Sequence, residues 1–111
     1  MNLIINGINL TVKLEDNATV DNLIKLLPLD TNMKELNGNE KYCYLSESLP
    51  TNFENIGTIH AGDIMLYGDD CLVIFYETFN TSYHYTKIGH IDYDNLRDLL
   101  GNGNVTVRIN K

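Results

Sequence analysis

The sequence predicts a mainly β, antiparallel barrel or sandwich, and three observations carry that expectation. Many short segments alternate apolar and polar residues with a period of two, and turn signals rich in Asn, Gly and Asp separate them. The two helical patterns lie far apart in the chain, which argues against a parallel βαβ plan. Closure of the sheet is the economical outcome, because a barrel has no free edges to recruit other chains. With 111 residues and no linker-like stretch, one domain spanning residues 1–111 is expected.

The opening is a β-hairpin. Leu3, Ile4 and Ile5 lead into Asn6-Gly7, a pair that tolerates the positive φ angles of a type I′ turn, and Ile8, Leu10, Val12 and Leu14 then alternate with polar residues. Asn17-Ala18-Thr19 offers side-chain oxygens as a helix cap, and Val20, Leu23, Ile24 and Leu27 follow at helical spacing up to Pro28. Two or three turns are not stable alone, so this stripe is read as a lid packed on the sheet. Residues 29–49 suggest two short strands around Asn37-Gly38-Asn39, followed by a polar loop over Ser46 to Gly57. A second hairpin, Ile64 to Tyr67 and Cys71 to Tyr76, surrounds Gly68-Asp69-Asp70; the unbroken apolar run of its second strand predicts cover on both faces. Tyr83 to Ile91 reads as another strand. Asp92 or Asp94 is then expected to cap a second helix carrying Tyr93, Leu96, Leu99 and Leu100 and stopping at Gly101, before a last strand built on Val105, Val107 and Ile109.

A hydrophobic content of 43% with 21% charged residues is that of a globular protein. The net charge of −7, with lysines scattered singly, disfavours nucleic acid and anionic membranes as partners. The N-terminal residues show neither a cationic leader nor a long apolar stretch, and no segment approaches the ~20 apolar residues of a membrane helix, so a cytoplasmic location is expected. Cys43 and Cys71 match no close-spaced metal or redox pair and are read as buried free thiols. His60, His84 and His90 lie outside any ligand-spaced motif, so neither a metal nor a cofactor is expected. The acidic pairs Asp69-Asp70 and Asp92 with Asp94 are explained by a hairpin tip and a helix cap.

Three segments in order, INGINLTVKLEDNATVDNLIKLLPL, GNEKYCYLSESLP and AGDIMLYGDDCLVIFYETF followed by KIGHI, resemble the small bacterial cyclophilin-like proteins. The resemblance implies a closed antiparallel barrel of about eight strands with two short capping helices. True cyclophilins are prolyl isomerases, which must lower an amide rotation barrier of ~18–20 kcal/mol. They set an Arg near the prolyl nitrogen, where a cationic donor favours the twisted amide. Here the two arginines, Arg97 and Arg108, fall elsewhere, and the stretch where the resemblance puts the catalytic Arg offers only Lys34 and Lys41. Lys lacks the planar donor fork, so the role does not carry over. The groove that the resemblance implies makes Tyr42, Tyr44, Tyr67, Val73, Phe75, Tyr85 and His90 candidate ligand-binding residues. Packing alone would also account for the tyrosines, which suit half-buried strands. The expected function is a domain that binds a small molecule or proline-containing peptide without efficient isomerase activity. The alternative is a divergent peptidyl-prolyl cis-trans isomerase that uses backbone amides or Tyr hydroxyls. A purely oligomer-forming module is a third reading, with only the apolar content behind it.

Overall fold

The computed structural model describes all 111 residues. The elements in order are β1 (Asn2–Ile5), β2 (Ile8–Thr11), β3 (Lys13–Leu14), α1 (Ala18–Ile24), β4 (Leu29–Leu36), β5 (Glu40–Tyr44), β6 (Glu54–Asn55), β7 (Thr58–Ile59), β8 (Asp63–Tyr67), β9 (Cys71–Phe75), β10 (Phe79–Asn80), β11 (His84–His90), α2 (Leu96–Leu100) and β12 (Val105–Asn110). All strand pairs are antiparallel, and the main sheet runs β2-β1-β12-β4-β5-β9-β8-β11-β3. Its two ends, β2 and β3, are successive halves of one stretch, Ile8 to Leu14. That stretch pairs with β1 through its first half and with β11 through its second, so the path returns to its start as a barrel of eight staves.

The seam depends on a small residue. A Cβ placed on Gly89 would lie 2.6 Å from the Lys13 carbonyl oxygen and 2.8 Å from a Val12 methyl, and the β11–β8 register shifts beside it, between Lys87 and Gly89. Asn6 and Gly7 turn the first hairpin at φ values of 49° and 79°, the left-handed backbone expected of an Asn-Gly pair.

Strand parity divides the apolar residues into two groups. Inward-facing side chains, among them Leu3, Ile5, Met33, Cys43, Ile64, Leu66, Leu72, Ile74, Ile88, Val107 and Ile109, form the barrel core. Ile59, Met65, Cys71, Val73, Phe75 and Tyr85 form a second cluster on the outer faces of β8, β9 and β11. This explains the unbroken run in β9, where alternate residues serve opposite faces and all five are buried.

The helices close opposite ends. Asn17 Oδ1 accepts the Val20 N–H at 2.8 Å, capping α1, while its Nδ2 donates to the Lys87 carbonyl at 2.8 Å and ties the helix to β11. At the other end Leu96, Leu99 and Leu100 of α2 enter the core, and Asn6 Nδ2 donates to the Leu99 carbonyl at 2.9 Å. Two expectations need correction here. The first helix ends at Ile24, short of Pro28. The second begins only at Leu96 after a left-handed Asn95, and neither Asp92 nor Asp94 caps it. Asp92 is instead drawn to His90 and Lys13, at 3.1 and 3.2 Å.

Beside α2 a fully buried lysine is completely satisfied. Lys41 Nζ donates to Glu35 Oε1 at 3.0 Å and to the Gly101 and Gly103 carbonyls at 2.9 and 2.5 Å, using all three of its protons. Tyr76 Oη donates to the same Glu35 oxygen at 2.6 Å. Burial pushes the Glu35 carboxyl up, but the bonds from Tyr76, Lys41 and the Gly38 N–H outweigh it and leave the group below its ordinary range.

A tyrosine cleft as the candidate functional site

The outer face of β9 carries side chains too small to fill the surface between its neighbours. Cys71 stands opposite Tyr44 of β5 on one side and Tyr67 of β8 on the other, and Val73 stands opposite Tyr42 and Met65. The small residues therefore form a floor, and the tyrosines on the flanking strands form walls about two strand spacings, or roughly 10 Å, apart at the backbone. Tyr83 and Tyr85, before and within β11, extend the second wall, and Leu36 and Asn37 close the end near Glu40. The volume of this open cleft is about 320 Å³.

The rings tilt against one another and do not lie parallel. Tyr42 meets Tyr44 at 5.9 Å and 79°, Tyr67 meets Tyr83 at 6.0 Å and 62°, and Tyr67 meets Tyr85 at 5.6 Å and 55°. Such edge-on and tilted contacts suit the ring quadrupole.

Glu40 opens β5 with the same parity as Tyr42 and Tyr44, so its carboxyl shares their side of the sheet and lines the cleft. The residue is only 9% exposed, and no hydrogen bond or ion pair holds its side chain. Burial, reinforced by the charge on Glu35, pushes its pKa up to about 7. Two of its neighbours are held neutral near that pH: burial raises Cys71 to about 11, and burial followed by the Glu40 charge raises Tyr85 to about 12. A thiol held that high is a poor nucleophile, which leaves Glu40 as the cleft group that changes charge near neutrality.

A model of the cyclophilin-like family matches residues 3–110. The chain belongs to that family. No curated protein and no solved structure matches it.

Within this cyclophilin-like barrel, five of the candidate groove residues, Tyr42, Tyr44, Tyr67, Val73 and Tyr85, line one cleft. Phe75 lies on the same outer face of β9, opposite Glu40 and outside the lining, fully buried and edge-on to Tyr85 at 5.6 Å and 88°. His90 is elsewhere, at the far end of β11 and about 17 Å along the strand from Tyr85. There it pairs across the sheet with Asp63 and Lys13, and its ring nitrogens lie 2.8 Å from Asp63 and 3.1 Å from Asp92. The cations are accounted for in the same way. Lys41 faces the core, Arg97 holds Glu77 at 2.6 Å with its guanidinium over the Tyr76 ring, and Arg108 holds its cross-strand partner Asp30 at 2.9 Å. Lys34 lies on the other side of the Tyr42–Tyr44 wall, in a neighbouring depression.

Sequence reasoning places Tyr83 among the tyrosines around the groove but misses Glu40 and Cys71 as cleft residues. For Glu40 a signal existed: in Glu-Lys-Tyr-Cys-Tyr a period of two that sends both tyrosines to the groove sends the glutamate with them and Lys41 inward.

Proposed function

We propose that the chain is a binding domain which takes a small molecule or a proline-containing peptide in the tyrosine cleft and does not catalyse prolyl isomerisation efficiently. The observation that carries this reading is the lining itself: five phenol rings around a floor of Cys71 and Val73, with a carboxyl at one end and no guanidinium or ammonium. Phenols and small apolar groups hold a ligand by shape and contact area. An ionised carboxylate has no donor to offer a prolyl nitrogen and the lining holds no guanidinium, so the cationic help that favours a twisted amide is missing. The bound surface is expected to be modest, since the volume of about 320 Å³ fits one ring or one short side chain.

Two NMR measurements test the reading. In a titration with a fragment library and X-Pro peptides, the amides of Cys71, Val73 and Tyr85 are expected to shift together. In exchange spectroscopy on the same peptides, cis/trans rates are expected to equal the buffer rate. Catalysis well above buffer that disappears in Tyr67→Ala overturns the non-isomerase half, and a cleft that no compound perturbs overturns the binding half.

A further inference from the structure

We propose that the ligand is a methylated organic ammonium ion, seated with its charge at Glu40 and its methyl groups against the tyrosine walls. This inference rests on the binding reading above and narrows it to one chemical class.

The contrast between two adjacent residues is the starting point. The fold gives Lys41 three oxygen partners inside the barrel, yet it gives Glu40, buried almost as deeply on the outer side, none. A carboxyl that is largely desolvated and meets the outside only through the cleft has no partner to stabilise its charge, and a cation entering the cleft would supply one. The surroundings select which cation. Aromatic faces attract a positive charge, most strongly where water is excluded, and tyrosines line both walls of the cleft. A bare primary ammonium would surrender three hydrogen bonds to water for a single carboxylate. A methylated one has little hydration to lose and buries its methyl groups on phenol rings, Cys71 and Val73. A volume of about 320 Å³ is large enough for such a group. The net charge of −7 draws cations toward the molecule and repels anionic competitors.

Protonation of Glu40 tunes the site. The groups around it are Glu35 of β4, Tyr42 of β5, Cys71 of β9 and Tyr85 of β11; the thiol and Tyr85 stay protonated, and Glu35 adds negative charge. With the carboxyl titrating at about 7 in the empty cleft, a permanently charged ligand meets a mostly neutral acid below that pH and a carboxylate above it.

The test compares choline with 3,3-dimethyl-1-butanol, which replaces the trimethylammonium group by an uncharged tert-butyl group of the same shape. Neither compound titrates, so any pH dependence belongs to the protein. Followed by amide shifts near pH 8, choline is expected to bind at least about tenfold more tightly than the alcohol. Near pH 6 its affinity is expected to fall about tenfold, in line with the ionised fraction of Glu40. Glu40→Gln, which keeps the shape, is expected to erase both the preference for choline and its pH dependence. Tyr67→Ala should weaken choline several-fold while Tyr67→Phe retains it; Tyr67 is half exposed, so neither change threatens the fold. Equal binding of the two compounds, or a preference that survives Glu40→Gln, overturns the cation assignment. Neutral fragments that move the cleft amides while choline does not would sink this inference and leave the binding reading standing; silence from every compound removes both.

Discussion

The unpartnered carboxyl of Glu40 has a consequence for stability that can be measured without any ligand. In the unfolded chain the group titrates at its ordinary value of 4.5, and in the barrel at about 7. Below about 4.5 it is protonated in both states, and its neutral form is accommodated at full stability. As pH rises toward 7 the unfolded chain gains by ionising while the native state still holds its proton, so stability falls, and the loss is complete above the folded pKa. A gap of one pH unit between the unfolded and folded pKa corresponds to about 1.36 kcal/mol, so the full loss is about 3 kcal/mol. Glutamine has the same shape and no proton to lose, so Glu40→Gln is expected to abolish this slope. In urea unfolding followed by circular dichroism, the variant should differ little from the parent near pH 4. It should become more stable by up to about 3 kcal/mol near pH 8, a midpoint shift of roughly 1–2 M urea. A variant less stable than the parent at pH 8, or a difference that does not change with pH, would mean that the carboxylate has a partner or ample water, and the reasoning about the cleft would lose its footing.

Two further expectations concern the scaffold. Lys41→Met removes the donor shared by Glu35 and the Gly101 and Gly103 carbonyls and leaves a partly buried carboxylate without its counterion, so a loss of about 3 kcal/mol is expected in urea unfolding, with faster amide exchange at Leu99 and Leu100; a loss below about 1 kcal/mol would show that water replaces the ammonium there. Gly89→Ala forces the β3 and β11 backbones apart, with an expected cost of about 1–3 kcal/mol and loss of exchange protection at the Glu15 amide, which donates to the Ile88 carbonyl at 2.9 Å; unchanged protection would place the strain elsewhere.

What the chain disclosed in advance was local chemistry with a period. Asn6-Gly7, the alternation in Ile8 to Leu14 and the two-faced run of β9 each encode their strand in neighbouring residues, and the structure follows them. The two-residue strands β6, β7 and β10 have no period to read, because they exist only where distant segments meet on the outer cluster. The second helix is shorter than its sequence pattern suggests because acids ahead of an apolar stripe resemble caps, whereas Asp92 is bound by His90 and Lys13, partners that strand pairing brings to it. The tyrosines of the cleft were visible through the family resemblance. Glu40 was not, since an isolated glutamate reads as solvated surface until the strand parity of its neighbours is applied to it.

One stave, β9, is a party wall: Leu72 and Ile74 furnish the room inside, and Cys71 and Val73 furnish the alcove outside. Whatever loosens one room must be felt in the other. A methyl group trimmed from Ile74, which no visitor to the alcove can touch, is expected to weaken what the alcove holds.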